Sequence, residues 1–419
     1  MSRVRYFAAA SLLMLGGTVL AVSVLEGLYR VAPCVWRAGR TAWSFSWRRN
    51  VHVQRDELLG WGNVPGVFIP DMYGPGVYLR TNSQGIRADR DFSPRAAPGK
   101  IRVVCTGEST TMGYGVANGK GWCEKLAALD PRLEPVNMGQ IHYGLDQMYL
   151  RYLRDGVPLD ADIHIVALLT VDVLRMRMAQ IYGMPKPMLE LRGGKPVLVA
   201  PSLPWWQKAA ARLLPVTRAS PRIRPWNPFG PRVVAPLSPV LNSRLRLFQG
   251  LPWPQLPRED WRGMRGLTAG ILETIDRIDH ERGAALVVIW LPWVSQRIPD
   301  PDLQATAELS RELGRRGIPA WGLGEEYHRW PIDRQDRLHL PNDPHYSEEG
   351  NRLVAEMVYR KLLESPRARE ILAAGGRAQR RSRPSLSPSG RFLGSAGFLK
   401  KGSSDRGAGE TSALSRSAK

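Results

Sequence analysis

From residue 101 onward, apolar runs of strand length alternate with amphipathic runs of helical period, and this alternation constrains the fold more than any other feature of the sequence. The strand patterns are IRVVC, LEPVNMG, DIHIVALLT, AALVVIWLP and IPAWGL, and the helix patterns are GWCEKLAALD, GLDQMYLRYLRDG, LTAGILETIDRIDHERG, DLQATAELSRELGRRG and SEEGNRLVAEMVYRKLLES. The third strand pattern is almost entirely apolar, as expected for a strand covered on both faces. The sequence therefore predicts an α/β domain over residues 101–365, a three-layer sandwich around a central parallel sheet.

Residues 183–263 interrupt this alternation between the third and fourth strands. The segment opens with a hairpin pattern hinged on Gly193-Gly194, and it continues with a stretch crowded with Pro, Arg and Trp. We predict an insertion here, with two interpretations open. It rests on a membrane surface or holds a substrate, or it forms an irregular lid whose tryptophans pack inward.

The carboxy-terminal residues carry much of the chain's positive charge. The 419 residues have a formal net charge of +21, and residues 365–419 hold twelve Lys or Arg against three Asp or Glu. Residues 366–419 are also rich in Ser, Gly and Ala, so we predict a disordered basic tail. A solvated tail is favoured over one that binds anionic lipid or nucleic acid. Because no nucleic-acid motif is present, we expect no nucleic-acid partner.

The amino terminus contains an uncharged, mostly apolar stretch from Tyr6 to Leu25, which has the length needed to cross a bilayer. We predict that residues 1–28 form a single-pass membrane anchor and that residues 29–100, which are polar, form a membrane-proximal arm. A cleaved signal peptide is the alternative, because Ala21-Val22-Ser23 has the small-x-small pattern of a cleavage site. The arginines that follow the stretch favour a cytoplasmic body under the positive-inside rule.

The three cysteines, Cys34, Cys105 and Cys123, match no metal-binding spacing, and we expect no metal or other cofactor. Cys105 ends an apolar run and is expected in the core, and Cys123 falls in a predicted helix. A disulfide between Cys105 and Cys123 is the alternative to two separate buried thiols.

A serine, an aspartate and a histidine fall where the predicted sheet would present them together. Ser109 follows the first strand, and Asp343 and His345 precede the last helix. Ligands of open parallel sheets bind beyond the carboxyl ends of the strands. There, His345 is a suitable base for the Ser109 hydroxyl, and Asp343 can orient its imidazole. The sequence predicts a Ser-His-Asp catalytic triad.

Further residues are expected around this triad. The backbone N–H groups of Ser109 and Gly139 are the predicted oxyanion donors. The candidates for the pocket wall are Glu108, His142, Thr170 and Asp172. His164 lies inside a predicted strand, so we expect a structural role for it.

The blocks GESTTMG, NMGQIHYGLDQ and DPHYSEEGN together resemble the motifs of the GDSL, or SGNH, hydrolase superfamily. The segments TNSQGIR and KPMLELRGGK resemble its membrane-anchored bacterial branch. The resemblance spans roughly residues 55–365. It implies a flavodoxin-like fold and a serine esterase or O-acyltransferase acting on acyl, above all acetyl, esters of cell-envelope glycans. It also implies a body on the periplasmic or extracytoplasmic side, against the charge argument above.

The sequence departs from the family pattern in three places. Glu108 stands where the first block has aspartate, and Val171 stands where the third block has an asparagine that donates to the oxyanion. Thr170 and His142 are the candidate replacements for that donor. Asn342 occupies the family's usual position for the acid, so Asp343 is the predicted acid at a shorter spacing from His345.

These departures leave a second hypothesis open, in which the protein keeps the fold but binds glycans as a catalytically weak or inactive scaffold. Nucleic-acid binding through the basic tail is a third and weaker hypothesis. The sequence does not specify the acyl group, the acceptor or the oligomeric state.

Overall fold

The computed structural model describes residues 14–18, 52–181, 184–199, 258–292, 303–341 and 343–376. The predicted anchor lies outside these residues apart from 14–18, which are helical, and so do most of the insertion and residues 377–419. Within the described ranges, no helix combines the length and the apolar character that a bilayer-spanning helix requires.

Residues 52–100 pack onto the body, and this corrects the predicted arm. They form two short antiparallel pairs, namely β1 (Val53–Asp56) with β2 (Gly60–Asn63) and β3 (Phe68–Ile69) with β4 (Leu79–Arg80). The Trp61 side chain is fully buried, and its Nε1–H donates to the Ile141 carbonyl at 2.9 Å. The arm prediction rested on average polarity, which overlooked widely spaced apolar residues that reach the core.

Five of the remaining strands form the central sheet. In chain order the strands are β5 (Ile101–Thr106), β6 (Leu133–Asn137), β7 (Ile163–Leu168), β8 (Gln180–Ile181), β9 (Met184–Pro185), β10 (Met188–Arg192), β11 (Lys195–Val199), β12 (Ala285–Trp290) and β13 (Ala320–Gly322). The sheet order is β13-β12-β7-β5-β6, and every pairing in it is parallel. The five predicted strands and their parallel arrangement are confirmed.

Helices connect and flank these strands. They are α1 (Ser109–Met112), α2 (Trp122–Leu129), α3 (Leu145–Arg151), α4 (Thr170–Arg175), α5 (Arg258–Glu281), α6 (Leu303–Arg315), α7 (Gly324–His328), α8 (Ile332–Arg337), α9 (Glu348–Glu364) and α10 (Pro366–Ala373). A π-helical turn (Tyr152–Gly156) and a 3-10 turn (Val157–Leu159) follow α3. All five predicted helices are present.

Helix α10 corrects the predicted start of the tail. It begins at Pro366, a residue suited to the first turn of a helix. Ala368, Ile371 and Leu372 are buried in the core. The composition of residues 365–419 as a whole obscured this short amphipathic segment, so the ordered body extends to residue 376.

Two apolar cores cover the two faces of the sheet. Val104 and Val166 belong to one core, whereas their neighbours Val103 and Ile165 belong to the other. This separation follows from the alternation of side chains along a strand. Helices α3, α5 and α6 contribute to the first core, and α2, α9 and α10 contribute to the second. The three-layer sandwich is confirmed.

A buried polar cluster links the sheet to α5. His164 Nδ1 lies 2.9 Å from Asp279 Oδ2, and its Nε2 lies 3.0 Å from Thr106 Oγ1. The Tyr152 ring stacks on the imidazole, and its hydroxyl donates to Asp279. These contacts satisfy the polar atoms of His164 inside the core, in keeping with its predicted structural role.

The structure also resolves two smaller predictions, the state of two cysteines and the hairpin. Cys105 of β5 and Cys123 of α2 form a buried disulfide, so the alternative with a disulfide is correct. The predicted hairpin is present as β10 and β11, in which Arg192 pairs with Lys195 across Gly193-Gly194. Both glycines have positive φ angles, which is why this turn uses glycine.

Candidate active site

Ser109 is the first residue of α1, directly beyond the carboxyl end of β5. Gly107 joins the two elements, and a Cβ built at Gly107 would lie 2.0 Å from Thr111 Oγ1. The Glu108 side chain caps the helix, because its Oε1 accepts the Thr110 N–H at 2.6 Å. The strand end, the glycine and the cap thus hold Ser109 at the rim of the sheet, where it is 4% exposed.

His345 and Asp343 lie beside this serine despite a separation of 236 residues along the chain. His345 Nε2 is 2.7 Å from Ser109 Oγ, and His345 Nδ1 is 2.5 Å from Asp343 Oδ1. Asp343 Oδ1 also accepts the His345 backbone N–H at 2.9 Å, which fixes the turn before α9. The three predicted catalytic residues are therefore brought together in one hydrogen-bonded chain.

The charge state of Asp343 determines the direction of these hydrogen bonds. Burial raises the pKa of Asp343, but the hydrogen bonds from His345 and its nearby charge outweigh burial and bring that pKa below its ordinary value. The ionised carboxylate can only accept, so His345 Nδ1–H donates to it. When His345 is neutral, its Nε2 carries no proton and can accept one from Ser109, as a general base must.

Glu108 is a second acceptor for the Ser109 hydroxyl. The hydroxyl lies within hydrogen-bond distance of Glu108 Oε2 as well as of His345 Nε2. Burial alone would raise the pKa of Glu108, but the charges of Arg175 and His345 and the hydrogen bonds from Ser109 and Thr110 leave it below its ordinary value. An ionised carboxylate therefore lies next to the Ser109 hydroxyl, which also contacts His345.

Helix α4 contributes an aspartate–arginine pair close to Glu108. Asp172 is fully buried, and its Oδ2 accepts the Leu169 N–H at 2.8 Å. Arg175 Nη1 donates to Asp172 Oδ1 at 2.8 Å and lies 3.8 Å from Glu108 Oε2. The predicted pocket residue Asp172 thus anchors an arginine that faces the nucleophile loop. Thr170, also predicted for the pocket, starts α4 and is half-buried.

Gly139 differs from its predicted role as an oxyanion donor. Its N–H donates to Asn137 Oδ1 at 2.9 Å and is therefore engaged at the end of β6. A Cβ at Gly139 would lie 2.2 Å from the Met112 backbone nitrogen. The glycine is required because α1 packs directly against it. In contrast, the Ser109 N–H has no hydrogen-bond partner among the described residues, so it remains a candidate donor.

His142 and Tyr114 complete the surroundings of the triad. His142 is half-buried with a φ of 60°, in the left-handed region that few residues other than glycine adopt. Burial and the charge of Arg175 lower the pKa of His142 to about 4, so the imidazole is neutral at pH 7. The Tyr114 ring lies 4.4 Å from the His345 ring, centroid to centroid, and limits the positions open to the catalytic imidazole.

Arg175 and Tyr114 lie at the site but are not among the residues predicted for it from the sequence. One signal in the sequence could have indicated Arg175. It lies three residues after Asp172, a predicted pocket residue, and side chains at this spacing are neighbours if the segment is helical. Tyr114 had none, because its contact with His345 joins distant parts of the chain. In the described part of the chain, no group of three or more His, Cys, Asp or Glu side chains is arranged to hold a metal ion.

The fold and the site together define an α/β protein with a Ser-His-Asp constellation at the carboxyl edge of its sheet. No protein-family model matches the chain, and no curated protein matches it.

Solved structures to which this chain is similar include a lipolytic protein of the G-D-S-L family from Desulfitobacterium hafniense DCB-2, at 13% identity and a TM-score of 0.34, covering 62% of this chain and 99% of that one. A lipase/acylhydrolase from Enterococcus faecalis is similar at 12% identity and a TM-score of 0.33, covering 66% and 100%. The acetyl xylan esterase AlAXEase is similar at 12% identity and a TM-score of 0.35, covering 62% and 98%. At such low similarity we base function on the residues of this chain.

Proposed function

We propose that this protein is a serine esterase or O-acyltransferase of the SGNH type, acting on acyl esters of cell-envelope glycans, with acetyl as the favoured acyl group. The observation that carries the proposal is the 2.7 Å contact between His345 Nε2 and Ser109 Oγ, with Asp343 on the opposite imidazole nitrogen. A serine hydroxyl becomes an effective nucleophile only when a positioned base takes its proton.

The proposed reaction has two halves. Ser109 Oγ attacks the ester carbonyl while its proton passes to His345 Nε2, and Asp343 stabilises the imidazolium that forms. Collapse of the tetrahedral intermediate breaks the bond to the leaving alkoxide, which takes the proton from His345. Water, or a sugar hydroxyl in a transferase, then gives its proton to His345 and attacks the acyl-Ser109 ester. Collapse of this second tetrahedral intermediate breaks the bond to Ser109 Oγ, which takes the proton back from His345, and releases the acyl group as the free acid or the new ester.

A fluorophosphonate probe tests the nucleophile directly. We expect the probe to label the folded wild-type protein and to fail with Ser109→Ala, while Thr110→Ala, which removes the neighbouring hydroxyl, stays labelled. Acetate release from acetylated glycans should likewise disappear in Ser109→Ala. Adding a glycan acceptor and comparing the acyl group transferred to it with the acyl group released to water separates transferase from esterase activity.

The alternative is a weak or inactive glycan-binding scaffold, and Val171 is the residue that favours it. Val171 cannot donate a hydrogen bond, and it packs against the apolar core on one face of the sheet. Folded wild-type protein that binds glycans, remains unlabelled by the probe and releases no acetate would support the scaffold and contradict the enzyme.

We further propose that the body of the protein works outside the cytoplasm, anchored by its N-terminal apolar stretch. The Cys105–Cys123 disulfide supports this location, because structural disulfides persist in oxidising compartments. Alkylating free thiols at the moment of cell lysis tests it. We expect Cys105 and Cys123 to be protected from the alkylating reagent until reduction. Full alkylation of both thiols before reduction would contradict the proposed location.

A further inference from the structure

In the proposed reaction the carbonyl oxygen of the ester becomes an oxyanion in the transition state. A negative charge already present near this oxygen would raise the energy of that transition state. In the proposed reaction the leaving oxygen must lie near His345 to receive its proton. The carbonyl oxygen must therefore point away from His345, and the other group in contact with the Ser109 hydroxyl is Glu108, which Arg175 of α4 approaches. Glu108 is ionised there, and an ionised carboxylate repels a developing oxyanion. A donor or a cation on this side is needed to offset that repulsion.

Arg175 is the cation on this side. Its Nη1 is held by Asp172 Oδ1 at 2.8 Å and by the Tyr143 carbonyl at 3.1 Å, and it approaches Glu108 Oε2 at 3.8 Å. Only one of its terminal nitrogens is used in these contacts. Nε and Nη2 make no hydrogen bond to any described residue, and the side chain is 13% exposed.

The surroundings fix this guanidinium in place. Gly144 makes room for the base of the side chain, because a Cβ at Gly144 would lie 3.1 Å from the Arg175 Cβ. Asp172 is in turn held by the Leu169 N–H, so the pair is tied to the end of β7. A planar, always charged group with one edge anchored and the other edge open is preorganised to bind an oxygen that gains negative charge.

Arg175 lies on the same side of α4 as Val171, one helical turn away. Val171 packs into the core and offers no donor. We propose that Arg175 is a catalytic residue that donates from its open Nε and Nη2 edge to the carbonyl oxygen of the ester, together with the Ser109 N–H. This inference rests on the proposed esterase or transferase function. It assigns to Arg175 the stabilisation of the oxyanion charge that the Val171 side chain cannot provide.

The test compares Arg175→Ala, Arg175→Lys and the control Arg177→Ala, which removes an exposed arginine two residues along. The substrate is p-nitrophenyl acetate, and the final extent of fluorophosphonate labelling counts the competent sites in each preparation. We expect kcat per labelled site to fall by about 10²–10³ in Arg175→Ala with a small change in KM, since one oxyanion donor is lost. Arg175→Lys should fall less, and Arg177→Ala should match the wild type.

Chemical rescue separates catalysis from a merely structural role. Guanidinium chloride at low millimolar concentration should restore part of the kcat of Arg175→Ala but leave Arg175→Lys unchanged. Adding Val171→Asn to Arg175→Ala should also recover activity, because it places a new donor on the same side. An Arg175→Ala variant with kcat per labelled site within threefold of the wild type, or one that neither rescue improves, would overturn the assignment. In those cases the labelled wild type would still support the esterase, whereas an unlabelled wild type would refute the proposed function itself.

Discussion

Glu108 differs from the aspartate of the resembled motif by one methylene group, and that difference has consequences for the nucleophile. The longer side chain caps α1 through Oε1 and still reaches the Ser109 hydroxyl through Oε2. The hydroxyl has one proton and two acceptors, Glu108 and His345. Under the proposed mechanism, Glu108 competes for that proton before attack, and during attack its negative charge stabilises the imidazolium of His345.

Replacing the charged Glu108 side chain with a neutral one should slow the acylation of Ser109. We expect Glu108→Gln to lower kcat/KM for an activated acetate ester by about tenfold, an effect of roughly 1.4 kcal/mol. The neutral amide no longer stabilises the imidazolium, and this loss outweighs the relief of repulsion with the oxyanion, because Arg175 already offsets that repulsion. Stopped-flow measurement of the acylation burst checks this. The exposed carboxylate variant Glu349→Gln, in the first turn of α9, is the matched control. Unchanged acylation in Glu108→Gln would show that Glu108 serves only as a helix cap.

At the level of elements, the site depends on how closely α1 approaches the end of β6. Asn137 ends β6, and its Nδ2 donates to the Thr111 carbonyl at 2.7 Å while its Oδ1 accepts from Gly139. Gly139 itself leaves no space for a side chain beneath α1. The position of Ser109 is thus determined by the neighbouring strand as well as by its own.

A methyl group at Gly139 should displace the nucleophile. In Gly139→Ala the new Cβ would meet the Met112 nitrogen at 2.2 Å and the Met112 Cα at 2.7 Å, and backbone atoms cannot yield as a flexible side chain can. We expect a loss of about 1–3 kcal/mol in the free energy of unfolding and at least a tenfold drop in kcat. Chemical denaturation and ester hydrolysis measure the two effects.

Gly314→Ala provides the comparison for this variant. Gly314 lies within α6, where a Cβ meets no atom within 4 Å, so alanine should leave activity unchanged and stabilise the helix slightly. If both alanine variants kept full activity, the contact between Gly139 and α1 would not control the position of Ser109.

At the level of the whole molecule, the burial of His52, directly before β1, makes the free energy of unfolding sensitive to acid. His52 is fully buried, and neither imidazole nitrogen has a hydrogen-bond partner among the described residues. Burial, assisted by the charge of Arg87, lowers the pKa of His52 to about 3. The folded protein therefore keeps this imidazole neutral at pH values where the unfolded chain protonates it.

Stability should accordingly fall as the pH decreases from about 6.5 toward 3. In this range the unfolded state binds more protons at His52 than the folded state does, so the free energy of unfolding rises with pH. We expect the wild type to lose about 2–3 kcal/mol more than His52→Leu between pH 7.5 and pH 4.5. Urea denaturation of both proteins at the two pH values checks this.

The other histidines affect both proteins equally in this comparison. His142 also has a lowered pKa, of about 4, and it remains in His52→Leu, so its contribution cancels. Equal pH dependence of the two proteins would mean that His52 does not stay neutral in the folded state.

Patterns of neighbouring residues were enough to predict the five sheet strands, their parallel arrangement and the proximity of Ser109, Asp343 and His345, because each depends on local periodicity and on the rule that parallel strands present their loops at one edge. The same reasoning could not show that the Gly139 N–H donates to Asn137, that Glu108 reaches the Ser109 hydroxyl, or that Arg175 approaches Glu108. Those features depend on distances of a few ångströms between residues far apart in the chain. Such distances are set by how the layers pack, and no local pattern encodes them.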